Sequence, residues 1–471
     1  MKNFSFTTIL ICFTLACVAQ TKLTLKQAIE TGVANNLDVN QSDLQMQRAG
    51  INLKQSKANM LPNLNAQADH GINQGRSIDP ISNSFVNQQF SYGSYGASTN
   101  VLLFNGLSLQ NKIKENAFAY DATKMELQQA KDNLTINIIL SYLQVLSSQD
   151  ILDRSRKEAL VTGKQVDRLG ILNNEGAITP AVYYDLKGQL ANDEIAIADN
   201  QAALESAKLN LVQLLNIPYD KSLELEGLPE ETFSMNYENT PGKVFQTALT
   251  KFAQVKSVQL RSQSASKAIK SIRGELYPSL YLGGSANTNY SSAARQQVFL
   301  NTTDVKTTGY VVINNVPEPL YIKQDNFDPQ KINYSKQLNN NLFTSVNLGL
   351  SIPIFNANKV RNRIRLAQLD LKNYQLTEQQ TKTALQQSIE RAFVNLTNTA
   401  DKFKILTDQV TSFAESFRGA EIRFNAGAIT SVDYLIAKNN LDRANSNLIV
   451  SRYDFILRTK ILDYYEGKPL W

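Results

Sequence analysis

The 471-residue sequence offers few side chains with which an enzyme could work. His70 is the one histidine, which excludes most imidazole-based catalysis and most zinc sites. Both cysteines precede Gln20, inside a segment that reads as a removable leader, so neither thiol chemistry nor disulfides are expected afterwards. No phosphate-binding glycine loop and no nucleophile elbow occurs. The sequence therefore predicts a protein that is not an enzyme and that holds no cofactor and no metal.

A short motif with a definite conformational role occurs twice. Its glycine suits the left-handed conformation that ends a helix, and its threonine suits the N-cap of the next helix. Asp433 follows the second copy, where a carboxylate interacts favourably with the dipole of a helix that begins there. The eight residues of the two copies are Gly176, Ala177, Ile178 and Thr179, then Gly427, Ala428, Ile429 and Thr430.

The N-terminal segment has the pattern of a secretory signal peptide over residues 1–19. Lys2 precedes an uncharged apolar run that is too short to span a membrane, and small residues precede Gln20. A lipoprotein signal is the alternative, in which Cys17 would be acylated. Thr14 then occupies a position where a bulky aliphatic residue is preferred, so the ordinary signal peptide is favoured.

The charge balance and the apolar pattern limit the partners of the mature chain. The formal net charge of +6 is spread over the whole sequence, which predicts no nucleic-acid partner. After the leader, no stretch of 18 or more apolar residues occurs, so no membrane-spanning helix is expected. A chain of this kind can meet a bilayer only as a closed β-barrel, because its backbone groups must all be paired in lipid.

The mature sequence is an internal repeat. Shifting the chain by 216 residues lays Thr24–Leu64 on Thr240–Leu280, and shifting it by 251 lays Val101–Pro218 on Ile352–Pro469. The second shift superimposes the two tetrapeptides. We therefore predict a first repeat over residues 20–220, a connector over 221–243, and a second repeat over 244–471. The second repeat carries a longer insertion, which we interpret as an external loop at about residues 291–341.

Each repeat has the same predicted order of elements. In the first repeat, proline-free helical spacing predicts one helix over Lys26–Asn59 and a much longer one over Leu107–Asn174. Between them, residues alternate with a period of two in Asn63–Asn73 and Tyr95–Leu103, which is typical of membrane β-strands but also of a soluble sheet edge. At ~1.5 Å per residue, the long helix would measure about 100 Å, beyond what globular domains contain. The second repeat has its long helix at Asn358–Asn425.

The predicted lengths indicate the assembly. The helix that follows each tetrapeptide, at Pro180–Leu215 or Ser431–Tyr465, is about half as long as the long helix, so two short helices in series match one long helix. Four strands per chain cannot close a barrel, since about eight are needed. We therefore predict a homotrimer, in which twelve strands form a β-barrel that is continued by a long barrel of α-helices.

This arrangement resembles the TolC-type outer-membrane efflux family over the whole mature chain. The resemblance implies an outer-membrane location extending into the periplasm, and an exit duct for a tripartite efflux or type I secretion system. It also implies a periplasmic adaptor protein, an inner-membrane pump of the RND or ABC class, and contact with outer-membrane lipids. The adaptor would grip the two tetrapeptide turns; a plain turn between helices is the alternative.

The resemblance also implies a gate near the second tetrapeptide. Family members place an aromatic hydroxyl, an arginine and two lumenal aspartates there, and the matching residues are Phe424, Ile429, Asp433 and Ile436. One ring of Asp433 carboxylates would favour cations in a narrow pore, whereas a solvated helix-start carboxylate is the alternative. Cargo could be drug, metal or polypeptide. A barrel-anchored adhesion or structural protein, with the 291–341 loop as its binding surface, is the alternative function.

Overall fold

The computed structural model describes residues 22–79, 81, 83–228, 237 and 239–468. The predicted signal peptide, with Cys17, lies outside the described residues. Two compact units are present. Of the described residues, those within 22–50, 118–264 and 371–468 form the helical unit, and those within 51–117 and 265–370 form the sheet unit.

Nine helices occur in the described residues. The two predicted long helices and the helices that follow them are confirmed, because α3 and α8 each have 67 residues and α4 and α9 each have 36. No helix of the described ranges is both long and apolar enough to cross a membrane. The bounds are α1 Leu25–Asn35, α2 Leu37–Ala58, α3 Ser108–Asn174, α4 Pro180–Leu215, α5 Pro241–Lys251, α6 Ala253–Gly274, α7 Tyr334–Asn340, α8 Lys359–Asn425 and α9 Ser431–Glu466.

The prediction of one continuous helix over Lys26–Asn59 is wrong, since the chain breaks at Asn36. Asn36 has an extended backbone, and its Oδ1 accepts hydrogen bonds from the backbone N–H groups of Asp38 and Val39 at 2.9 and 3.1 Å. It therefore ends α1 and starts α2. The second repeat breaks at the equivalent position, Phe252, whose side chain is buried and lies against aromatic rings of α9.

The largest hydrophobic cluster of the helical unit gathers around Tyr142 of α3, which is fully buried together with Ile138. The Tyr142 hydroxyl is 2.8 Å from the backbone oxygen of Leu23 and 2.7 Å from that of Glu226, and it is the donor to both. Leu23 also forms an isolated parallel bridge with Leu225. Tyr142 thus fixes the beginning of the described chain to the segment that follows α4.

The sheet unit contains a four-stranded antiparallel sheet with the strand order β1–β4–β5–β8. Strands β1 and β4 contain the two strands predicted in the first repeat, and β5 and β8 are the pair expected in the second. Two short strands pair separately between β1 and β4. The strands so far are β1 Asn63–Asn73, β2 Arg76–Ile78, β3 Phe85–Asn87, β4 Phe90–Asn105, β5 Ser279–Ser291 and β8 Phe343–Ser351.

The register of this sheet sorts the side chains by polarity. Residues that pair across strands point to the same face. One face carries a row of Leu64, Thr99, Gly284 and Val346, and further rows of aliphatic residues and alanine. The other face carries mainly asparagine, serine and glycine, with Asp69 as its charged side chain and with Tyr92, Leu102, Tyr281 and Phe343 as its large apolar or aromatic side chains. The polar rows include Asn63, Asn100, Gly283 and Asn347, then Asn65, Ser98, Ser285 and Ser345.

The insertion predicted as a loop at about residues 291–341 instead contains regular structure, so that part of the prediction is wrong. It forms an antiparallel hairpin of β6 Arg295–Ile313 and β7 Val316–Lys331, followed by α7. Both residues of its turn, Asn314 and Asn315, have positive φ angles of 51° and 62°, as tight hairpin turns require. Gln337 of α7 joins the insertion to Ser291 of β5 by two hydrogen bonds.

Candidate functional site at the helical turns

The turn between α3 and α4 and the turn between α8 and α9 have the same backbone hydrogen bonds. Gly176 N–H donates to Asn173 O, and Ala177 N–H to Leu172 O at 2.8 Å. In the second turn, Gly427 N–H donates to Phe424 O and Ala428 N–H to Arg423 O, also at 2.8 Å. This pair of bonds is the Schellman motif, which pairs the last carbonyl groups of a helix.

Both turns require glycine and present the same surface to solvent. The φ angles of Gly176 and Gly427 are +74° and +70°, a region that other L-residues enter at a cost. A Cβ atom added to either glycine would meet no heavy atom within 4 Å. Glycine, alanine and threonine of each turn are exposed, whereas Ile178 and Ile429 are half-buried. The two tetrapeptides are therefore alike in conformation and in exposure.

The two turns differ in how the next helix begins. Thr179 makes no side-chain cap bond, and Pro180 follows it as the first helical residue. Thr430 Oγ1 accepts from Asp433 N–H at 3.1 Å, and Asp433 Oδ2 accepts from Thr430 N–H at 3.2 Å, which forms a capping box. The hydrogen bond from the Thr430 hydroxyl, then that from its backbone N–H, lower the pKa of Asp433. Asp433 is therefore an ionised helix cap at neutral pH.

A hydrophobic cluster lies beneath the two turns and joins them. It is formed by residues of all four helices, and the Phe424 and Tyr434 rings stack with centroids 4.7 Å apart. Phe424 is 9% exposed, so the side chain predicted near a gate lies in this cluster of its own chain. Ile436 is 55% exposed and is not part of the cluster. The buried members are Val166, Leu169, Leu186, Phe424 and Tyr434.

Polar contacts connect the first hairpin, α3–α4, to the second, α8–α9. Arg168 of α3 donates to the side-chain and backbone oxygens of Asn425, and the second of these bonds measures 3.2 Å. Ser431 Oγ of the second hairpin donates to Asp185 Oδ2 of the first at 2.8 Å. The turns are therefore held side by side, and Asp433 and Ile436 remain accessible beside them.

A buried charged cluster lies farther along the same helices and was not found from the sequence. Lys438 of α9 has a side chain that is 3% exposed, and its Nζ donates to Asp442 Oδ2 at 2.7 Å and to Asp193 Oδ2 at 3.1 Å. From sequence, Lys438 and Asp442 have the spacing of an ordinary surface pair on a helix. The contact with Asp193 of α4 could not be seen without the packing of the hairpins. Among the described residues, no group of three or more potential ligands could hold a metal ion.

The chain matches a known protein family in two segments, one in each of its two repeats. The family model described as outer membrane efflux protein matches residues 28–216 and 244–458. Toxin and drug export protein A of Aggregatibacter actinomycetemcomitans is 19% identical over 446 residues, covering 92% of this chain and 83% of the relative. The outer membrane protein TolC of Escherichia coli K12 is 20% identical over 439 residues, covering 92% of this chain and 80% of the relative.

Among solved structures, crystal structures of CusC, whose title refers to transmembrane channel formation, are similar to this chain with a TM-score of 0.75. The similarity covers 95% of this chain and 93% of that one at 15% sequence identity. At such identity the similarity concerns the fold alone. The similarity thus extends over both the helical unit and the sheet unit.

Proposed function

Because this chain belongs to the outer membrane efflux protein family, and so lies in the outer membrane and extends into the periplasm, we propose that three copies form a passive exit duct. The duct receives cargo from an inner-membrane pump through a periplasmic adaptor protein, as part of a tripartite efflux or type I secretion system. The protein itself catalyses no reaction. The sorting of side chains in the four-stranded sheet is the observation that carries this proposal.

The sheet supports a trimer because its two outermost strands need partners. In the described part of the chain, β1 and β8 each pair along one edge only, while β4 and β5 pair along both. A free sheet edge presents a row of backbone donors and acceptors that lipid cannot satisfy. β1 and β8 run antiparallel to each other, so β8 of one copy can continue the sheet with β1 of the next. Three copies then give twelve strands.

The two faces of the sheet fit the wall of a membrane duct. Apolar residues such as Leu64, Val346 and Leu348 are 78%, 81% and 65% exposed, which is costly in water and favourable against lipid. The opposite face carries mainly asparagine, serine and glycine, which would line the interior with small polar groups, and Tyr92, Tyr281 and Phe343 are its aromatic residues. Asp69 is the charged residue of that face, so the lining hydrogen-bonds cargo without strong selection by charge.

The tetrapeptide turns are the proposed docking surface for the adaptor. Each presents an exposed glycine–alanine step with open space around it, which permits close approach of another backbone or side chain. The half-buried Ile178 and Ile429 hold the two turns on the cluster below them. Two like surfaces per copy would give six docking positions in the trimer.

Asp433 is the proposed charged group at the entrance. Its carboxylate is exposed, and its lowered pKa keeps it ionised at neutral pH. Three such carboxylates around a narrow passage would favour cations. Asp433→Asn should lower the preference of the channel for K⁺ over Cl⁻, measured as the reversal potential in a salt gradient. An unchanged reversal potential would leave Asp433 with its capping role alone.

Cysteine cross-linking tests the trimer. Single cysteines at Asn65 of β1 and at Ser345 or Asn347 of β8 should give disulfide-linked dimers and trimers on oxidation in cells. A cysteine at Ser98 of the interior strand β4, combined with the same β8 positions, is the matched control and should not link copies. Linking by Ser98 but not by β1 positions would contradict the proposed sheet.

A deletion strain tests the function. Loss of the chain should raise sensitivity to toxic compounds or abolish secretion of a polypeptide, and a wild-type copy should restore the phenotype. The exposed apolar residues of β6 and β7, Tyr310 and Tyr321 among them, favour a second candidate function in surface adhesion. Removing residues 295–331 should leave export intact under our proposal and should abolish adhesion under the alternative.

A further inference from the structure

The buried charged cluster between the two helical hairpins has no role in the duct as proposed above. It lies where α3, α4 and α9 meet. Lys438 is bound to Asp193 of the first hairpin and to Asp442 of its own helix. Asp193 accepts further hydrogen bonds from the Thr162 hydroxyl of α3 and from Gln189 Nε2 at 2.7 Å. Lys438 is therefore bound directly to α4 and is connected to α3 through the bond between Asp193 and Thr162.

Three carboxylates lie close together in the cluster, with two cationic groups bound to them and Lys157 at its exposed edge. Glu158 of α3 lies against Asp442, and its Oε1 accepts from Arg154 Nε at 2.6 Å. Arg154 and Lys438 thus face the three carboxylates of Glu158, Asp193 and Asp442. Glu158 and Asp442 border the same cavity with side chains that are 15% and 18% exposed, and two neighbouring carboxylates in such a partly buried site cannot both be ionised without cost.

Groups from four helices surround Glu158. Its own helix contributes Arg154 and the exposed Lys157, and α9 contributes Asp442 and Lys438. On α4, Asp193 lies on the other side of Lys438. Helix α8 contributes the apolar ring of Phe417. Apart from Asp193, these groups border a cavity of about 90 Å³, which is large enough to admit water to Glu158.

We propose that Glu158, Asp442 and Lys438 form a proton-sensitive contact that controls how tightly the two helical hairpins pack together. When Glu158 is protonated, Asp442 is the one charged carboxylate on the cavity side of Lys438, and the packed arrangement of the hairpins is favoured. Without that proton, Glu158 and Asp442 repel each other, and separation of the hairpins lets both be hydrated. Lys438 stays charged throughout, because its bonds to Asp442 and Asp193 outweigh burial and raise its pKa.

The direction of the pH effect follows from the buried carboxyl group. Burial, and then the charge of Asp442, raise the pKa of Glu158 to about 7. In separated, hydrated hairpins the pKa would return toward the ordinary value of about 4.3. The packed state therefore binds the proton more tightly. Packing is strongest below the ordinary pKa, weakens as the pH rises through about 7, and changes little above it.

The consequence for transport rests on the proposed function. If the hairpins border the periplasmic entrance, looser packing at higher pH makes the entrance easier to open, and tighter packing at lower pH keeps it closed. The pH response of the packing itself does not depend on conduction and can be measured separately.

Hydrogen exchange by mass spectrometry on the purified full-length protein tests the proposal. Between about pH 5.5 and about pH 8, after correction for intrinsic exchange, local opening of peptides from residues 155–170 and 434–445 should increase on the order of tenfold. In Glu158→Gln the increase should fall below about twofold, because no ionisable group remains at that position. Glu415→Gln, which removes an exposed carboxylate of α8, is the matched control and should keep the full response.

The proposal fails if the wild-type protein shows no pH response in these peptides, or if Glu158→Gln responds as the wild type does. Should Glu158→Gln fail to fold, Asp442→Asn removes the repulsion but not the burial of Glu158, so the response should shrink without vanishing; a full wild-type response in Asp442→Asn would overturn the proposal. A wild-type protein that conducts but shows no pH response would overturn this inference and leave the duct standing. A pH response in a protein that does not conduct would support this inference and overturn the proposed duct.

Discussion

The two halves of the chain reach the same backbone geometry with different residues at the ends of their returning helices. Helix α4 ends with Asn216 in the left-handed conformation, and α9 ends with Gly467 in the same conformation. Asn35 Nδ2 donates to Leu215 O in the first half, and Lys251 Nζ donates to Glu466 O at the equivalent place in the second, both at 3.4 Å. A helix end alone therefore does not demand particular side chains.

The turns between the long and returning helices show the opposite behaviour. Both turns use the same four residues. Their threonines nevertheless cap the next helix differently, because Thr430 makes a side-chain cap bond and Thr179 makes none. Since Asn216 and Gly467 show that the chain can end a helix in more than one way, backbone geometry does not explain the repeated alanine. Both isoleucines pack against the cluster beneath the turns, whereas both alanines are exposed, which supports the docking surface proposed above.

The largest expected effect is at Tyr142, whose counterpart in the second half is Phe393 under the 251-residue shift. Tyr142→Phe should lower the free energy of unfolding by about 2 kcal/mol, because the partly buried carbonyl groups of Leu23 and Glu226 lose a shared donor, and only Leu23 O keeps another, from Glu226 N–H. Denaturant unfolding followed by circular dichroism measures it. Phe393→Tyr is the reciprocal control and should bring no gain. A loss under about 0.5 kcal/mol for Tyr142→Phe would show that the halves do not differ in this respect.

The turn glycines should behave alike in both halves. Gly176→Ala and Gly427→Ala should each weaken the local helix end by about 1–2 kcal/mol, since alanine resists a positive φ angle. Gly188 of α4 and Gly419 of α8 are matched controls, because a Cβ atom there also meets open space but the backbone is helical. Their replacement by alanine should stabilise by about 0.5–1 kcal/mol. Hydrogen exchange measures the change in local stability at all four glycines. A change in the same direction at the turn glycines and at the control glycines would contradict this expectation.

The caps should distinguish the halves. Thr430→Ala should cost about 1 kcal/mol of local stability, because it removes the cap bond to Asp433 N–H. Thr179→Ala, where no such bond exists, should cost only a few tenths. Exchange of the first-turn amides of α4 and α9 measures the difference. Equal losses in the two helices would break this part of the comparison.

The smallest effect is the pH dependence of the second cap. The Thr430 hydrogen bonds lower the pKa of Asp433, so the stability they contribute is present above the ordinary aspartate pKa and is lost as the pH falls through the lowered one. First-turn amides of α9 should therefore exchange faster in acid, after correction for intrinsic rates. The Asp433→Asn variant should lack this acid dependence, and α4, which has no acidic residue in its first turn, is the internal control.

Much of the fold was predictable because its signals are long and regular. Uninterrupted helical spacing located α3 and α8, and alternation located the strands of the four-stranded sheet and their two faces, but not β2, β3, β6 or β7. The break at Asn36 was missed because no proline or glycine marks it, and the equivalent break at Phe252 depends on aromatic packing against α9. The hairpin of residues 295–331 was missed because apolar and charged residues share both of its faces.

The candidate site was predictable only in part. The tetrapeptides were found because they repeat, and the capping role of Asp433 followed from its place at a helix start. The burial of Phe424 and the contact of Lys438 with Asp193 depend on how two hairpins pack, and residues 245 positions apart leave no local signal. Helical spacing shows which residues share a face but not which face meets another helix.

The most direct test of the duct is electrical recording from purified protein in a planar lipid bilayer. We expect small, mostly closed conductance steps for the wild type. Openings should be larger or longer in Gly427→Ala, which destabilises the second turn, and in Arg168→Ala, which removes the hydrogen bonds to Asn425. Protein that inserts into the bilayer but never conducts, in wild-type or variant form, would contradict the proposed duct.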